Sequence, residues 1–255
     1  MFDKIDIKKE FYIHFTTEMR RNETISLFYE IHCYGNAYVV GGFFRDFLTN
    51  KHSRDVDVIV DIPNNLLIDI IKNNNLKYST NRHGGIKIIK DLYNIDIWTI
   101  ENNWAFKNKL VKLNEDDKLK SIANGCFYNY DSLVINLSKF SYNIQNFSSF
   151  LESNRLDILQ TTPKYKNLNP SIEANILRAI YLQKIYGSDV STNTYYYLYN
   201  KVGYLKDKKI DVINHLLKTK AEYKKYEFIS ENDLIVFINK IYEEGNPNKQ
   251  LTIFI

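Results

Sequence analysis

The fold of this chain is decided by the stretch AYVVGGFFRDFLTNKHSRDVDVIV, residues 37–60. Its first four residues are apolar or aromatic and are followed by Gly41-Gly42, which predicts a buried strand entering a tight turn. A short helix is predicted from about Phe43 to Leu48. Carboxylates and apolar residues then alternate with period two from Asp55 to Val60, which is the pattern of a strand. The stretch therefore predicts the order strand, glycine turn, helix, strand.

The polar residues of this stretch suit the binding of a triphosphate and a divalent cation. Glycine lets backbone N–H groups approach phosphates closely, and a helix N-terminus carries partial positive charge, so Gly41 and Gly42 are the predicted phosphate turn. Asp55 and Asp57 project from one face of their strand and converge. Converging carboxylates need a neutralising cation, and Mg²⁺ prefers carboxylate and phosphate oxygens. Either motif alone is a weak signal, but the two in this order are far more specific.

A third carboxylate is predicted on a later strand. Asp96 lies in the alternating run Ile95-Asp96-Ile97, so its side chain projects from the face opposite to that of its apolar neighbours. It would complete the acidic cluster either as a metal ligand or as the acceptor of a proton from an attacking hydroxyl group.

The remainder of the chain divides into a mixed segment and a helical segment. We expect an α+β fold, with a head domain over residues 1–145 that contains a small mixed β-sheet flanked by helices. An α-helical domain is expected over residues 146–255. The elements predicted outside the central stretch are helices over 5–34 and 64–73, a hairpin of 84–89 and 93–100 joined through Lys90-Asp91, a strand within 131–137, and helices over 172–186, 192–202, 208–225 and 231–243.

Composition sets broad limits on function. The 255 residues are 44% hydrophobic and 25% charged, which is ordinary for a globular protein and argues against disorder of the whole chain. A net charge of +4 is compatible with a polyanionic partner and equally with an ordinary solvated surface. Two cysteines outside any CxxC pair argue against a disulfide framework or a zinc site. With no long apolar run, we expect no membrane span and a reducing, cytoplasmic location.

Tyr38 to Val60 resembles the head domain of the bacterial tRNA nucleotidyltransferases and poly(A) polymerases, within the DNA polymerase β-like superfamily. The shared pattern is Val-Gly-Gly-x-x-Arg-Asp followed by Asp-x-Asp. The resemblance implies that Gly41 and Gly42 cradle the triphosphate. It implies that Arg45 and Asp46 shape the turn and approach the nucleotide, and that Asp55 and Asp57 ligate Mg²⁺, with Mn²⁺ as an alternative.

The resemblance continues downstream with weaker motifs. The segment His83 to Ile86 is similar to the glycine-led strand of the family, and Tyr93 to Thr99 resembles the strand that bears its third acidic group, here Asp96. The resemblance implies that Asn129 lies near the nucleotide sugar. It also implies that Arg178, in a helix resembling that of the neck, faces the nucleotide.

The implied activity is transfer of a nucleoside monophosphate from an NTP to an acceptor hydroxyl, with an RNA 3′ end, of tRNA or another RNA, as the favoured acceptor. Alternatives remain open because Ala123-Asn124-Gly125 replaces the Arg-Arg-Asp of the family, and no Glu-Asp-x-x-Arg helix is evident. The acceptor in the first alternative is a protein, a small molecule or a second nucleotide. In the second, the chain is an inactive module that binds nucleotide or RNA.

Overall fold

The computed structural model describes residues 6–81, 84–160 and 172–247, which divide into two compact units, Met1–Phe147 and Ser148–Ile255. The first unit contains a seven-stranded mixed sheet in the order β3-β4-β5-β2-β1-β6-β7. Strands β2 and β5 are parallel, and the other neighbouring pairs are antiparallel. The strands are β1 (Ala37–Val40), β2 (Asp55–Val60), β3 (Tyr78–Thr80), β4 (Ile86–Ile88), β5 (Asn94–Thr99), β6 (Val134–Asn136) and β7 (Tyr142–Asn143).

Helices flank this sheet, so the predicted α+β class with a mixed sheet is confirmed. They are α1 (Ile7–Arg21), α2 (Ile25–Tyr34), α3 (Gly42–Leu48), α4 (Asn64–Asn73), α5 (Trp104–Lys107) and α6 (Lys118–Asn124). The next helix, α7 (Gln145–Ser153), crosses the boundary between the two units. The predicted strand-turn-helix-strand order of residues 37–60 is confirmed, as is the β4–β5 hairpin. The strand expected within 131–137 is shorter than predicted, because residues 129–131 form a 3-10 turn before β6.

Aromatic packing holds α3, and with it the glycine turn, against α1. The ring of Phe11, which is fully buried, lies 4.8 Å from the ring of Phe44 and 5.2 Å from that of Phe47. It also meets the ring of Phe43 edge-on at 6.0 Å. Such edge-to-face pairs each add about 0.5–1.5 kcal/mol beyond the burial of apolar area. The short helix is therefore stabilised by its core contacts, since seven residues are too few to be stable as an isolated helix.

A buried asparagine fixes the start of β5. Asn22 is 3% exposed, and its side chain makes two hydrogen bonds to the backbone of Tyr93. Nδ2 of Asn22 donates to the carbonyl oxygen of Tyr93, and the N–H of Tyr93 donates to Oδ1 of Asn22, both at 3.0 Å. The hydroxyl of Tyr93 donates to Glu18 at 2.6 Å. These bonds tie the end of α1 to the residue before Asn94, and so position the strand that carries Asp96.

The second unit is mainly helical, with α8 (Ile172–Tyr186), α9 (Thr192–Asp207), α10 (Val212–Ala221) and α11 (Glu231–Glu244). Helix α8 has the predicted bounds, whereas α9 extends five residues further and α10 is shorter than predicted because Asp211 caps its start. The unit also contains a parallel pair of two-residue strands, β8 (Arg155–Leu156) and β9 (Asp189–Val190), which the sequence pattern did not indicate. Across the three described ranges, no helix has the length and apolar character needed to cross a bilayer.

Candidate active site

The glycine turn connects β1 to α3 and needs glycine at its first position. Gly41 has φ of 67° and ψ of −118°, a left-handed backbone that side chains with a Cβ adopt only with strain. Its N–H donates to the carbonyl oxygen of Leu133 at 2.8 Å, and its own carbonyl oxygen accepts from the N–H of Arg45 at 3.0 Å. Gly41 therefore sets the direction of the turn, and its N–H is hydrogen-bonded to Leu133, the residue before β6. The N–H groups that have no partner within the helix belong to the first turn of α3, which begins at Gly42.

The three predicted carboxylates lie on neighbouring positions of two parallel strands. Asp57 on β2 is the register partner of Asp96 on β5, and Asp55 pairs with Asn94. Neighbouring strands lie about 4.8 Å apart, and paired residues project from the same face. The intervening Val56 and Ile95 are fully buried, whereas the side chains of Asp55 and Asp96 are 25% and 18% exposed. The sheet thus brings the carboxylates together on its more open face.

The glycine turn lies next to the three carboxylates. Val40 at the end of β1 is the register partner of Asp57, so the turn begins one residue beyond the centre of the acidic group. Phosphates bound at this turn would lie beside the carboxylates. This is the spatial relation that the sequence motif predicts.

Two cations pair with Asp55 and Asp96. Arg54 donates from Nε to Asp55 at 2.7 Å, and Asn94 donates to the other oxygen of Asp55 at 3.3 Å. Lys87, the register partner of Asp96 on β4, places its Nζ 3.5 Å from Asp96. Burial raises the pKa of Asp55, but the hydrogen bond and charge of Arg54 outweigh it, so the net pKa lies below its ordinary value.

Asp96 shows the opposite balance. Burial raises the pKa of Asp96, and the charge and hydrogen bond of Lys87 offset this only in part; the negative charge of Asp55 adds to the rise. The two neighbouring carboxyls Asp55 and Asp96 thus have pKa values shifted in opposite directions.

The donor set suits magnesium in its chemistry. All three side chains are carboxylates on one face, and hard oxygen ligands of this type are those that Mg²⁺ and Mn²⁺ select. As the side chains stand, however, no three His, Cys, Asp or Glu residues within 6–81, 84–160 and 172–247 are grouped closely enough to hold a metal ion. Binding would require the oxygens of Asp55 and Asp96 to turn from Arg54 and Lys87.

Arg45 and Asp46 form a partly buried ion pair, here called the brace, on the helix that follows the glycine turn. Arg45 donates to Asp46 at 2.9 Å and to Asp131 at 3.0 Å, and its guanidinium carbon lies 4.4 Å from the ring centre of Tyr130. Asp46 accepts from Ser53 at 2.8 Å. Burial lowers the pKa of Arg45, but the charges of Asp131, Tyr130 and Asp46 raise it by more. The net pKa therefore lies above its ordinary value, and the guanidinium is charged. These contacts link α3 to the segments that contain Ser53 and Asp131. That Arg45 and Asp46 shape the turn and approach a nucleotide stays a prediction.

The two downstream candidates lie in different units. Asn129 is 3% exposed in the 3-10 turn that ends at Asp131, and its Oδ1 accepts from the N–H of Tyr130 at 3.0 Å. Because Asp131 binds Arg45, this turn adjoins the glycine turn. Arg178 lies on α8 of the second unit. The contacts of Asn129 with a sugar and of Arg178 with a nucleotide stay predictions.

The glycine-led strand has a packing explanation. His83 lies outside the described residues. A Cβ on Gly85 would lie 2.1 Å from Nε1 of Trp98, so glycine is needed there for the indole to pack across β4. Trp98 follows Asp96 by two residues on β5 and projects from the same face.

The sequence motif did not indicate the partners of the acidic group and of the brace, namely Arg54, Lys87, Asn94, Ser53 and Asp131. Arg54 is adjacent to Asp55 in the chain, and Lys87 alternates with Ile86 and Ile88, so a search for cations beside the strand carboxylates would have found both. Asp131 lies 86 residues from Arg45, and no local pattern links the two.

Comparisons with a family model and with solved structures show what this chain is similar to. Residues 37–124 match the family model of the poly A polymerase head domain. The chain is similar to the Thermotoga maritima CCA-adding enzyme complexed with tRNA, with a TM-score of 0.60 and 17% identity over 88% of this chain and 51% of that chain. It is also similar to a CCA-adding enzyme in complex with ATP, with a TM-score of 0.60 and 17% identity over 89% and 52% of the two chains.

A third similar structure is a tRNA nucleotidyltransferase complexed with a primer tRNA and an incoming ATP analog, with a TM-score of 0.54 and 16% identity over 84% and 60% of the two chains. At such identities the likeness shows the fold, and this chain spans about half to three-fifths of those proteins. No curated protein matches the chain in sequence. The resemblance drawn from residues 38–60 is confirmed by the family model and by the shared fold.

Proposed function

We propose that this chain, which carries a poly(A) polymerase-type nucleotidyltransferase head, transfers a nucleoside monophosphate from an NTP to an acceptor hydroxyl and releases pyrophosphate. The observation that carries the proposal is the register of the central sheet. It pairs Asp57 with Asp96 on one side and with Val40, the residue before the glycine turn, on the other. Groups suited to a triphosphate and to divalent cations therefore occupy adjacent positions on one face.

In this proposal the side chains have separate tasks. Asp55, Asp57 and Asp96 would hold Mg²⁺ or Mn²⁺, which supplies charge neutralisation at the attacking and leaving oxygens when bound. The turn at Gly41 and the first helical residues from Gly42 would bind the triphosphate, with Arg45 and Asp46 behind them. The acceptor oxygen forms a bond to the α-phosphorus as the bond from that phosphorus to the bridging oxygen breaks, and pyrophosphate leaves with that oxygen. If Asp96 is not a metal ligand, it would instead accept the proton released by the acceptor hydroxyl.

The favoured acceptor is an RNA 3′ end. Two of the similar structures hold tRNA, and the family model that matches the head is that of an RNA-tailing enzyme. The net charge of +4 is compatible with a polyanionic acceptor. Asn129 and Arg178 are proposed to contact the nucleotide sugar and the nucleotide itself.

The test is a transfer assay with each of the four α-labelled NTPs, total RNA and Mg²⁺ or Mn²⁺. We expect label at RNA 3′ ends with the unmodified protein and with D91N, which removes an exposed carboxylate from the β4–β5 loop. D57N should retain the fold, measured by circular dichroism, and lose transfer. Near-normal transfer by D57N would refute the assignment of the site.

The same assay separates the alternatives. Label in protein or in small products would reject RNA as the acceptor while leaving nucleotidyl transfer in place. Intact NTP binding by calorimetry, without transfer to any acceptor under either metal, would identify an inactive binding module.

A further inference from the structure

We infer that Lys87 and Arg54 are built-in counter-ions of the acidic group, which compete with the divalent cation and set how tightly it binds. The inference rests on the proposed function, because it concerns the metal-binding step of that site. It assigns these two side chains a role that the family motif does not contain.

The position of Lys87 carries the first part of the argument. It is the register partner of Asp96 on the neighbouring strand β4, and its Nζ lies 3.5 Å from a carboxylate oxygen of Asp96. Its side chain is 39% exposed, so the ammonium group can move into solvent when a stronger cation arrives. The ammonium group therefore lies on the side of Asp96 that faces β4.

Arg54 pairs with Asp55 in the same acidic group. Its Nε and one terminal nitrogen lie 2.7 Å and 2.6 Å from the same oxygen of Asp55, and its side chain is 79% exposed. The other oxygen of Asp55 accepts from Asn94 at 3.3 Å. Asp55 and Asp96 therefore each have a solvent-exposed cation as a partner.

Competition follows from the geometry. A dication held by Asp96 and Asp57 would compete with Lys87 for the negative charge of Asp96, and it would repel an ammonium group placed 3.5 Å from that carboxylate. The same competition applies to Arg54 at Asp55. Because both cations are exposed enough to be solvated on release, they weaken metal binding without preventing it.

The experiment measures metal affinity without nucleotide or turnover. Tb³⁺ is added to the full-length protein, and its emission is sensitised by Trp98, which projects from the same face of β5 as Asp96. Mg²⁺ is then titrated to displace the Tb³⁺. We expect K87Q to tighten binding of both metals by about two- to fivefold, the range for loss of one partly exposed ion pair. R54Q should act in the same direction.

Two variants control for other effects. K87R keeps the charge and should bind metal as the unmodified protein does. K90Q removes a positive charge from the same hairpin, where Lys90 pairs with Glu23 at 3.1 Å, and should change affinity by less than about 1.5-fold because surface charges are screened over such distances. Tightening in K87Q alone among these three supports the inference.

The failures can be told apart. Unchanged or weaker metal binding in K87Q, or equal tightening in K90Q, overturns the inference and leaves the proposed function standing. Binding of Tb³⁺ that is the same in D57N and D96N as in the unmodified protein overturns the metal site itself, and with it both the inference and the proposed function.

Discussion

Replacing Arg45 with methionine should destabilise the head strongly, although the sequence motif implies a nucleotide-facing role for this residue. The Arg45 side chain is 14% exposed, and its partners Asp46 and Asp131 are 15% and 13% exposed. Removing the guanidinium leaves two largely buried carboxylates without their shared cation. Breaking a buried ion pair from one side costs about 3–5 kcal/mol, and we expect a loss near the lower end because Ser53 still donates to Asp46.

The assay is equilibrium unfolding in urea, followed by far-UV circular dichroism and by tryptophan fluorescence. A loss of about 3 kcal/mol corresponds to a fall in Tm of roughly 6–12 °C for a domain of about 150 residues. R54M is the matched control, because it removes the same guanidinium from a 79% exposed side chain that pairs with Asp55. It should change the free energy of unfolding by less than about 0.5 kcal/mol, as exposed pairs contribute little.

The brace also predicts non-additivity. D131N alone should destabilise the head, and R45M combined with D131N should cost less than the sum of the two single changes, because both changes remove the same Arg45–Asp131 ion pair. If R45M unfolds within about 0.5 kcal/mol of the unmodified protein, or if the two changes are additive, the reasoning is refuted. Arg45 would then be better assigned to the nucleotide than to the fold.

Three further predictions concern backbone and surface. G41A should lose about 1–2 kcal/mol in urea unfolding, because φ at Gly41 is 67°, and an unchanged midpoint would contradict this. G203A should instead gain about 0.5–1 kcal/mol, since Gly203 lies within α9 and an added Cβ would meet nothing within 4 Å; a loss would show a hidden contact. Lys184 and the cap at Ser230 lower the pKa of Asp233 from 3.8 to about 2. The Asp233 carboxylate should therefore stabilise the fold by about 1 kcal/mol, a small value because solvent screens the pair; this stabilisation is present above pH 4 and is lost as the pH falls toward 2. The measurement is the difference in unfolding free energy between the unmodified protein and D233N, which should shrink over this pH range. A difference that stays constant would refute the prediction.

The local sequence was sufficient to predict β1, the glycine turn, α3 and β2. These elements are set by short-range rules: apolar runs and period-two alternation mark strands, and glycine permits the backbone that Gly41 adopts. The same rules predicted that Asp55 and Asp57 share a face. These local rules also predicted the bounds of α8. They did not predict β3, β7, β8 or β9, because two or three residues are too few to show alternation.

Only the tertiary structure decided which distant residues meet. The parallel register of β2 and β5 places Asp96 opposite Asp57, and a slip of one residue would have turned Asp96 into the core. The pairing of β4 with β5 brings Lys87 to Asp96, and the turn before β6 brings Asp131 to Arg45. Such contacts depend on the packing of the whole sheet rather than on neighbours in the chain. The sequence therefore indicated the three acids and placed Arg54 next to Asp55, and the folded sheet determined that Lys87 pairs with Asp96 and Asp131 with Arg45.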